Sequence, residues 1–263
     1  MLGRLCASAR KRARLLNRDA ILAAIGDIEH AAPAPSLIAA LGAGSEVAVV
    51  AELKRRSPSK GVLREELAPG ERAGAYAKGG ARALSVLTEP EEFGGSAQDL
   101  TAASQASRLP TLKKDFHVTP IQVWEARSLH ASALLLIARA LGPRLLDEMM
   151  AECRRAEIEA LVEVRSEAEL SWALDSGSAL IGVNSRDLES LEVDPEVHAH
   201  LLPQIPAACV AVAESGVGSR LDVSRAALQG ADAVLVGSFL SQSNDPVRAT
   251  SALTGVARVS RAG

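Results

Sequence analysis

Acidic, basic and amide residues recur at the C-terminal ends of short apolar runs in this sequence. The runs resemble strands that are buried on both faces, where an unpaired charge is costly. Five of them end in such residues: Glu52 and Lys54, Lys114 and Asp115, Glu163, Asn184, and Glu214 with Ser215. Any one of these could be a salt bridge at the rim of the protein, but their recurrence favours a shared pocket. Carboxylates and ammonium groups in one pocket are the groups that general acid–base chemistry uses.

Small residues at two places predict a phosphate site. Ser215-Gly216 and Gly237-Ser238 follow the last two apolar runs, and each precedes a helix-like segment. Small residues let backbone N–H groups and a helix N-terminus approach an anion. Glycine is also an ordinary turn residue, but the position after the last two strands favours phosphate. Ser57 begins a Ser-Pro-Ser-Lys-Gly segment after the first run, and that segment could supply further donors.

Eight apolar runs, each followed by a segment of helical character, must position these residues. The runs are VAVVAELK (47–54), ALSVLT (83–88), TLKKDF (111–116), ALLLIA (133–138), ALVEV (160–164), ALIGVN (179–184), CVAVAES (209–215) and AVLVGS (233–238). Eight consecutive βα units predict a single (β/α)8 TIM barrel of the α/β class, whereas an open doubly wound sheet more often stops at five or six strands. We expect the barrel over residues 46–263, with residues 1–45 as an N-terminal helical extension packed on it.

The composition fits one barrel and argues against several kinds of partner. A chain of 263 residues, 48% of them hydrophobic and 2% aromatic, can bury a large aliphatic core. The net charge of -3 and the absence of a long apolar run give no reason to expect a nucleic-acid or membrane partner. Cys6, Cys153 and Cys209 form no CxxC pair, so we expect a reduced, cytoplasmic chain.

Several segments resemble the signatures of one family. AELKRRSPSKG (51–61) is similar to indole-3-glycerol-phosphate synthases, in which a Glu and a Lys precede a Ser-Pro-Ser-Lys-Gly loop. The resemblance continues in order through SVLTEPEEFGGS (85–96), LKKDF (112–116), LLLI (134–137), LVEV (161–164), IGVNSRDL (181–188), ESGV (214–217) and VLVGSFL (234–240). It implies a cytoplasmic carboxy-lyase of tryptophan biosynthesis. Its substrate would be a carboxyphenylamino-deoxyribulose 5-phosphate, and its products indole-3-glycerol phosphate, CO2 and water.

The implied reaction assigns roles to the charged residues. Ring closure needs an acid that protonates the ketone oxygen, and we expect Lys114 to be this acid. Dehydration then needs an acid and a base, for which Glu163, Lys54 and Glu52 are candidates whose division of labour stays open. The reaction requires no redox or carrier chemistry, so no cofactor or metal is implied. The expected partner is a small phosphorylated substrate, bound by a monomer or weak homo-oligomer.

Further residues are candidates for holding the substrate. We expect Asn184 and Ser215 to orient its hydroxyl or carboxylate groups. Four apolar residues either wall the aromatic ring or pack as ordinary core, namely Phe93, Phe116, Leu135 and Ile137. The remaining candidates for binding the substrate or its phosphate are Ser57, Arg186, Glu214, Gly216, Gly237 and Ser238.

The basic start of the chain allows two interpretations. With no acid before Asp19, it resembles a transit peptide, but we interpret it as an amphipathic helix. The leucines expected to be partly buried in it are Leu2, Leu5, Leu15 and Leu16. Its cations are Arg10, Lys11, Arg12 and Arg14. Because the implied substrate is anionic, we expect the extension to lie across the catalytic face or its rim. Alternatively, these charges only solvate an outer helix face.

Some positions depart from the usual pattern of the family. Lys113 stands where Arg is common, and Ser185 stands where a second Asn is typical. His117 replaces an Ile, and we expect a hydrogen-bonded structural residue there. His130 replaces a Gly. His198 and His200 lack the spacing of a metal pair, so we expect both at the surface.

Two alternatives compete with this family. Phosphoribosylanthranilate isomerase has the same architecture but relies on a Cys after its first strand and an Asp on its fifth. This sequence carries Glu52, Lys54 and Glu163 in those regions, which argues against the isomerase. The other alternative is a non-catalytic phosphosugar-binding paralogue, which the intact set of charged residues disfavours.

Overall fold

A closed barrel of eight parallel strands forms the centre of the molecule. The computed structural model describes residues 1–29, 34–64 and 68–261. The strands are β1 (Ala48–Leu53), β2 (Arg56–Ser57), β3 (Gly61–Val62), β4 (Ala83–Leu87), β5 (Thr111–Lys114), β6 (Ala133–Ile137), β7 (Glu159–Val164), β8 (Leu180–Asn184), β9 (Val210–Glu214) and β10 (Ala233–Val236). The barrel runs β1, β4 to β10 in chain order and closes through β10 on β1, while β2 and β3 form a small antiparallel hairpin after β1. The predicted (β/α)8 barrel is confirmed. Each of the eight predicted runs coincides with one barrel strand, and only β7 extends beyond its run, by one residue at Glu159.

Helices connect the barrel strands and also precede them. They are α1 (Leu2–Ala13), α2 (Arg18–Glu29), α3 (Leu37–Gly42), α4 (Pro69–Lys78), α5 (Ala97–Ser107), α6 (Ile121–Ser128), α7 (Ala138–Arg155), α8 (Glu167–Asp175), α9 (Glu196–Leu201), α10 (Arg220–Leu228), α11 (Ser238–Gln242) and α12 (Pro246–Ser251). Three of them begin with the same device, because Ser96, Ser166 and Ser219 each accept a hydrogen bond from the backbone N–H three residues later. The residue there is Asp or Glu each time, which is the sequence signature of a capping box. No helix in the described ranges is long and apolar enough to cross a membrane.

Alternation along each strand separates two buried regions. In β1, Val49 and Ala51 pack outward against the helices, whereas Ala48 and Val50 point into the barrel. A two-residue period therefore directs Glu52 into the barrel as well. The same rule places charged side chains from other strand ends above a floor of aliphatic residues inside the barrel.

Two of the helices before the barrel, α1 and α3, lie at its opposite ends. On α1, Leu2 and Leu5 are buried in one cluster with Phe116, near the C-terminal ends of the strands. On α3, Ser36 and the Ile38 backbone bond to Glu159 at the first residue of β7, so α3 covers the other end. The expectation that the whole extension lies across the catalytic face is therefore wrong for α3. Residues 30–33 of the predicted extension fall outside the described residues.

The amphipathic helix predicted at the start is present as α1. Leu2 and Leu5 are buried as expected, but Leu15 is 85% exposed. The reason is that α1 ends at Ala13, so Leu15 follows the last turn and is no longer on the apolar face of the helix.

Candidate active site

A cavity of about 420 Å³ opens at the C-terminal ends of the barrel strands. That volume suits a substrate of one aromatic ring and a phosphosugar chain. Its lining contains every predicted catalytic residue: Glu52, Lys54, Lys114, Glu163, Asn184 and Ser215. It also contains every predicted binding residue: Ser57, Phe93, Phe116, Leu135, Ile137, Arg186, Glu214, Gly216, Gly237 and Ser238. The structure thus brings all of these residues together in one cavity.

Lys114 lies at the centre of the charged cluster in this cavity. Its Nζ is 3.6 Å from Oε2 of Glu163 and contacts Oε2 of Glu214 more closely. Burial by itself would lower the pKa of Lys114, but Glu214 and Glu163 outweigh it and raise this pKa above its ordinary value. Lys114 is therefore a cation at neutral pH, held between two carboxylates.

Glu52 and Lys54 form a second ion pair on the same wall. Nζ of Lys54 is 2.7 Å from Oε1 of Glu52, and Ser85 donates to the other carboxylate oxygen of Glu52. Burial would raise the pKa of Glu52, but Lys54 and Lys114 lower it below its usual value. The cavity therefore contains two separate pairs of a cation with carboxylate.

Glu214 lies in the cavity as predicted, but its close pairing with Lys114 was not anticipated from the sequence. It was expected only to bind substrate, yet it is the nearest carboxylate to Lys114. Burial raises the pKa of Glu214 to about 7, although Lys114 opposes that rise. This carboxyl group can therefore hold or release a proton near neutral pH.

His198 supports this part of the site from behind, and the expectation that it lies at the surface is wrong. It is buried, and its Nε2 is 3.1 Å from the carbonyl oxygen of Val183 and 3.0 Å from that of Glu214. His198 and Leu201 share the buried face of α9. This i, i+3 pairing with a leucine is the sequence signal that could have revealed it. His200 is exposed, as expected, and pairs with Glu167.

Asn184 and Ser215 are joined across neighbouring strand ends. Oδ1 of Asn184 accepts hydrogen bonds from Oγ of Ser215 at 2.9 Å and from the backbone N–H of Arg186 at 2.9 Å. Because both contacts use the oxygen, the Nδ2 amide is the group that Asn184 can offer to a ligand. Ser215 and Gly216 both have positive φ, which turns the backbone sharply at the cavity wall.

Two aromatic rings form one side of the cavity. The ring centroids of Phe93 and Phe116 are 6.5 Å apart, with the planes tilted by 37°. Leu135 and Ile137 extend this apolar surface from β6. Phe116, Leu135 and Ile137 are buried and Phe93 is partly buried, yet all four line the cavity. Both interpretations offered for them therefore describe part of their environment.

Two glycines make room for the carboxylates. A Cβ atom on Gly182 would overlap Oε1 of Glu214, and one on Gly237 would overlap Oε1 of Glu52. Both neighbours are buried charged groups, so they cannot move aside cheaply.

We expect Gly182→Ala to impair catalysis because it displaces Glu214 from Lys114. Overpacking of this kind costs roughly 1–3 kcal/mol of stability, and because a misplacement of about 1 Å in an active site can cost up to about 10²-fold in rate, kcat should fall by about tenfold or more. Steady-state kinetics and thermal unfolding should be measured together. Gly74→Ala is the matched control, since a Cβ there meets nothing within 4 Å. Full activity in Gly182→Ala would show that the placement of Glu214 is not critical.

The sequence model of the indole-3-glycerol phosphate synthase family matches residues 4–253 of this chain. The chain belongs to the indole-3-glycerol phosphate synthase family. It is 47% identical to the indole-3-glycerol phosphate synthase of Mycolicibacterium vanbaalenii, an alignment that covers 82% of this chain and 79% of that one. It is 43% identical to the enzyme of that name from Rhodococcus jostii, covering 92% and 91% of the two chains. It is thus a carboxy-lyase of tryptophan biosynthesis and not the isomerase.

Solved structures of other enzymes share the architecture. Thiamine phosphate pyrophosphorylase from Pyrococcus furiosus superposes with a TM-score of 0.57 at 18% sequence identity, covering 79% of this chain and 93% of that one. At this identity the likeness shows the fold alone. The function therefore rests on the family and on the acid–base residues in the cavity.

Proposed function

We propose that Lys114 is the general acid of ring closure in this indole-3-glycerol phosphate synthase. The observation that carries this proposal is the position of its Nζ, in the middle of the cavity and between Glu163 and Glu214. As the aromatic carbon attacks the ketone, its oxygen becomes an alkoxide, which is more basic than an amine. Proton transfer from Lys114 is therefore favourable even though its neighbours raise its pKa. Glu214, with a pKa of about 7, can return a proton to Lys114.

Dehydration is assigned to the remaining acid–base residues. After CO2 has left, an acid must protonate the departing hydroxyl and a base must take a ring proton. Glu163 acts in this step, and the Glu52–Lys54 pair works with it on the same cavity. The Glu52–Lys54 pair, whose charged atoms lie 2.7 Å apart, and Glu163 together supply the proton donor and the base that this step needs.

The substrate is proposed to lie across the cavity with its phosphate and aromatic ends apart. Backbone N–H groups at Gly216 and at Gly237–Ser238, aided by Ser57, receive the phosphate. The aromatic ring lies against Phe93 and Phe116 and the aliphatic residues beside them. Asn184, through Nδ2, and Arg186 then orient the hydroxyl and carboxylate groups between the two ends.

The assay for this proposal is indole formation from the carboxyphenylamino-deoxyribulose phosphate. It is followed by ultraviolet absorbance without added cofactor or metal, and compared with substrate that lacks the phosphate. Turnover that depends on the phosphate supports the proposed orientation. Equal KM for the two substrates would reject the phosphate site while leaving the acid–base roles intact.

The remaining expectations concern the whole chain. We propose one catalytic unit in which residues 1–45 are an extension of the barrel formed by 46–263, acting in the cytoplasm as a monomer or weak homo-oligomer. The continuous packing of Leu37 and Leu41 with the barrel interior supports a single unit. Light scattering coupled to gel filtration tests the oligomeric state, and a single cooperative unfolding transition tests the domain organisation.

The α1 helix is proposed to close one side of the substrate cavity. Met1 and Leu5 line the cavity, whereas Arg10, Lys11 and Arg14 are exposed. Its contribution to binding is therefore mainly apolar, and the role expected for its cations is not supported by their positions.

We expect a chain that begins at Asn17 to bind substrate about tenfold more weakly, because it lacks the apolar wall from α1. KM and the midpoint of thermal unfolding are the measurements. The matched control is Leu41→Ala in the full chain. Leu41 is fully buried at the opposite end, so this change should cost about 2–5 kcal/mol of stability and leave KM unchanged. An unaltered KM in a folded truncated chain would exclude α1 from substrate binding.

A further inference from the structure

Arg12 on α1 forms an ion pair with Asp115, the residue that follows Lys114. Nη1 of Arg12 is 2.9 Å from Oδ2 of Asp115, and its Nη2 is 2.8 Å from Oδ1. The Asp115 side chain is 2% exposed and that of Arg12 is 29% exposed. Two parallel hydrogen bonds between guanidinium and carboxylate fix the orientation of both groups. The pair therefore determines where Asp115 lies relative to α1.

Asp115 in turn fixes the end of β5. Its Oδ1 accepts from the backbone N–H of Phe116 at 2.7 Å, and its Oδ2 accepts from Oγ1 of Thr88 at 2.9 Å. Both sequence neighbours of Asp115, Lys114 and Phe116, line the cavity. A rotation or shift of Asp115 would consequently move the proposed general acid and one wall of the ring site together.

Asp115 is a buried carboxylate whose charge is stabilised by neighbouring cations. Lys113 Nζ is 3.9 Å from Asp115, 3.1 Å from Glu125 and 3.2 Å from Nε2 of His117. Burial would raise the pKa of Asp115, but Arg12 and Lys113 hold it well below its usual range. Asp115 is thus a buried anion, and removing one partner of such a group is strongly destabilising locally. His117 is the buried structural histidine that its sequence predicted, and its Nδ1 is 2.7 Å from the carbonyl oxygen of Leu135.

Two other side-chain contacts of α1 differ from this one. Ser8 bonds to Glu91 and Arg4 to Glu92 in the loop after β4, and both are exposed. Exposed contacts of this kind contribute little to holding a geometry. The Arg12–Asp115 pair is partly buried and lies next to the proposed acid in sequence.

We propose that Arg12 is a positioning residue for catalysis, acting through Asp115 to hold Lys114 and Phe116 in their working positions. The packing of α1 on the barrel then also sets the position of the general acid. Arg12 stands outside the lining of the cavity, so it acts without touching substrate. The inference rests on the proposed role of Lys114 as the general acid.

Arg12→Ala should lower kcat by about 10- to 100-fold with KM changed much less, because a small misplacement of a catalytic group has that effect. Arg12→Lys keeps the charge without the paired geometry and should recover only part of the rate. Guanidinium chloride at millimolar concentration should restore kcat in Arg12→Ala, with sodium chloride as the salt control. Arg10→Ala, an exposed change on the same helix, is the matched control and should behave as the parent enzyme.

A purely structural tether gives a different pattern. It would lower the unfolding temperature or raise KM in Arg12→Ala, with kcat at saturation unchanged, and guanidinium would not alter the rate; this outcome overturns the inference. The Lys114→Met background separates the two proposals, because Arg12→Ala should cause no further loss of kcat there. If Lys114→Met is slow, and the double variant loses kcat by the product of the two single losses, only the inference about Arg12 fails. If Lys114→Met is itself fully active, the assignment of the general acid fails.

Discussion

Lys114→Met should remove most turnover while leaving substrate binding broadly intact. Losing a general acid typically costs about 10²–10⁴ in rate, which corresponds to roughly 3–5 kcal/mol of barrier. Methionine keeps the length and the apolar stem of lysine, so the loss reports on the ammonium group. The measurements are kcat and KM in the steady state, and the rate of ring closure in a single turnover.

The control for this variant must be chosen from the structure. Lys113 is adjacent in sequence, but it is buried with Glu125 and His117, so Lys113→Met would test folding as much as catalysis. Lys78 lies exposed on the last turn of α4, and Lys78→Met should leave both kinetics and stability unchanged. Near-normal ring closure in a folded Lys114→Met enzyme would contradict the assignment of the acid.

Much of the fold and of the candidate site could be predicted because both follow from local periodicity. Eight apolar runs separated by helical segments fix a (β/α)8 barrel, and the two-residue period of a strand fixes which side chains face its interior. Glu52 is an example, since its place in β1 follows from the alternation of its neighbours. The same reasoning placed Lys114 and Glu163 in the cavity.

Contacts between distant segments could not be predicted, because they depend on how the strands are staggered around the barrel. Glu214 is the nearest carboxylate to Lys114, although 100 positions separate them in sequence. The need for Gly182 to lack a side chain exists only because Glu214 lies against it. Likewise, no local pattern reveals that Arg12 reaches Asp115, or that α1 and α3 pack on opposite ends of the barrel.

Glu163→Gln should arrest the reaction after the ring has closed. Glu163 lies at the C-terminal end of β7, with its side chain 5% exposed and 3.6 Å from Lys114. Lys114 keeps Glu214 as a partner in this variant, so it stays a cation and can still protonate the ketone oxygen. The dehydration step, however, no longer has the titratable carboxyl group of Glu163. We therefore expect turnover to fall by about 10²–10⁴, with accumulation of a cyclised, decarboxylated intermediate that is heavier than the product by one water.

Rapid quenching followed by mass spectrometry distinguishes this late role from an early one. If Glu163 instead served ring closure, the variant would accumulate unreacted substrate, and no species one water heavier than the product would form. If it served neither step, product formation would be unchanged across the pH range. Glu196→Gln is the matched control, because Glu196 is exposed at the start of α9 and its amide should leave every rate unaltered.

The double variant of Glu163→Gln and Lys114→Met tests the order of the two steps. Because Lys114→Met removes the acid of the first step, the double variant should stop there and accumulate substrate. That order of arrest is what a single cavity with two successive proton-transfer sites requires.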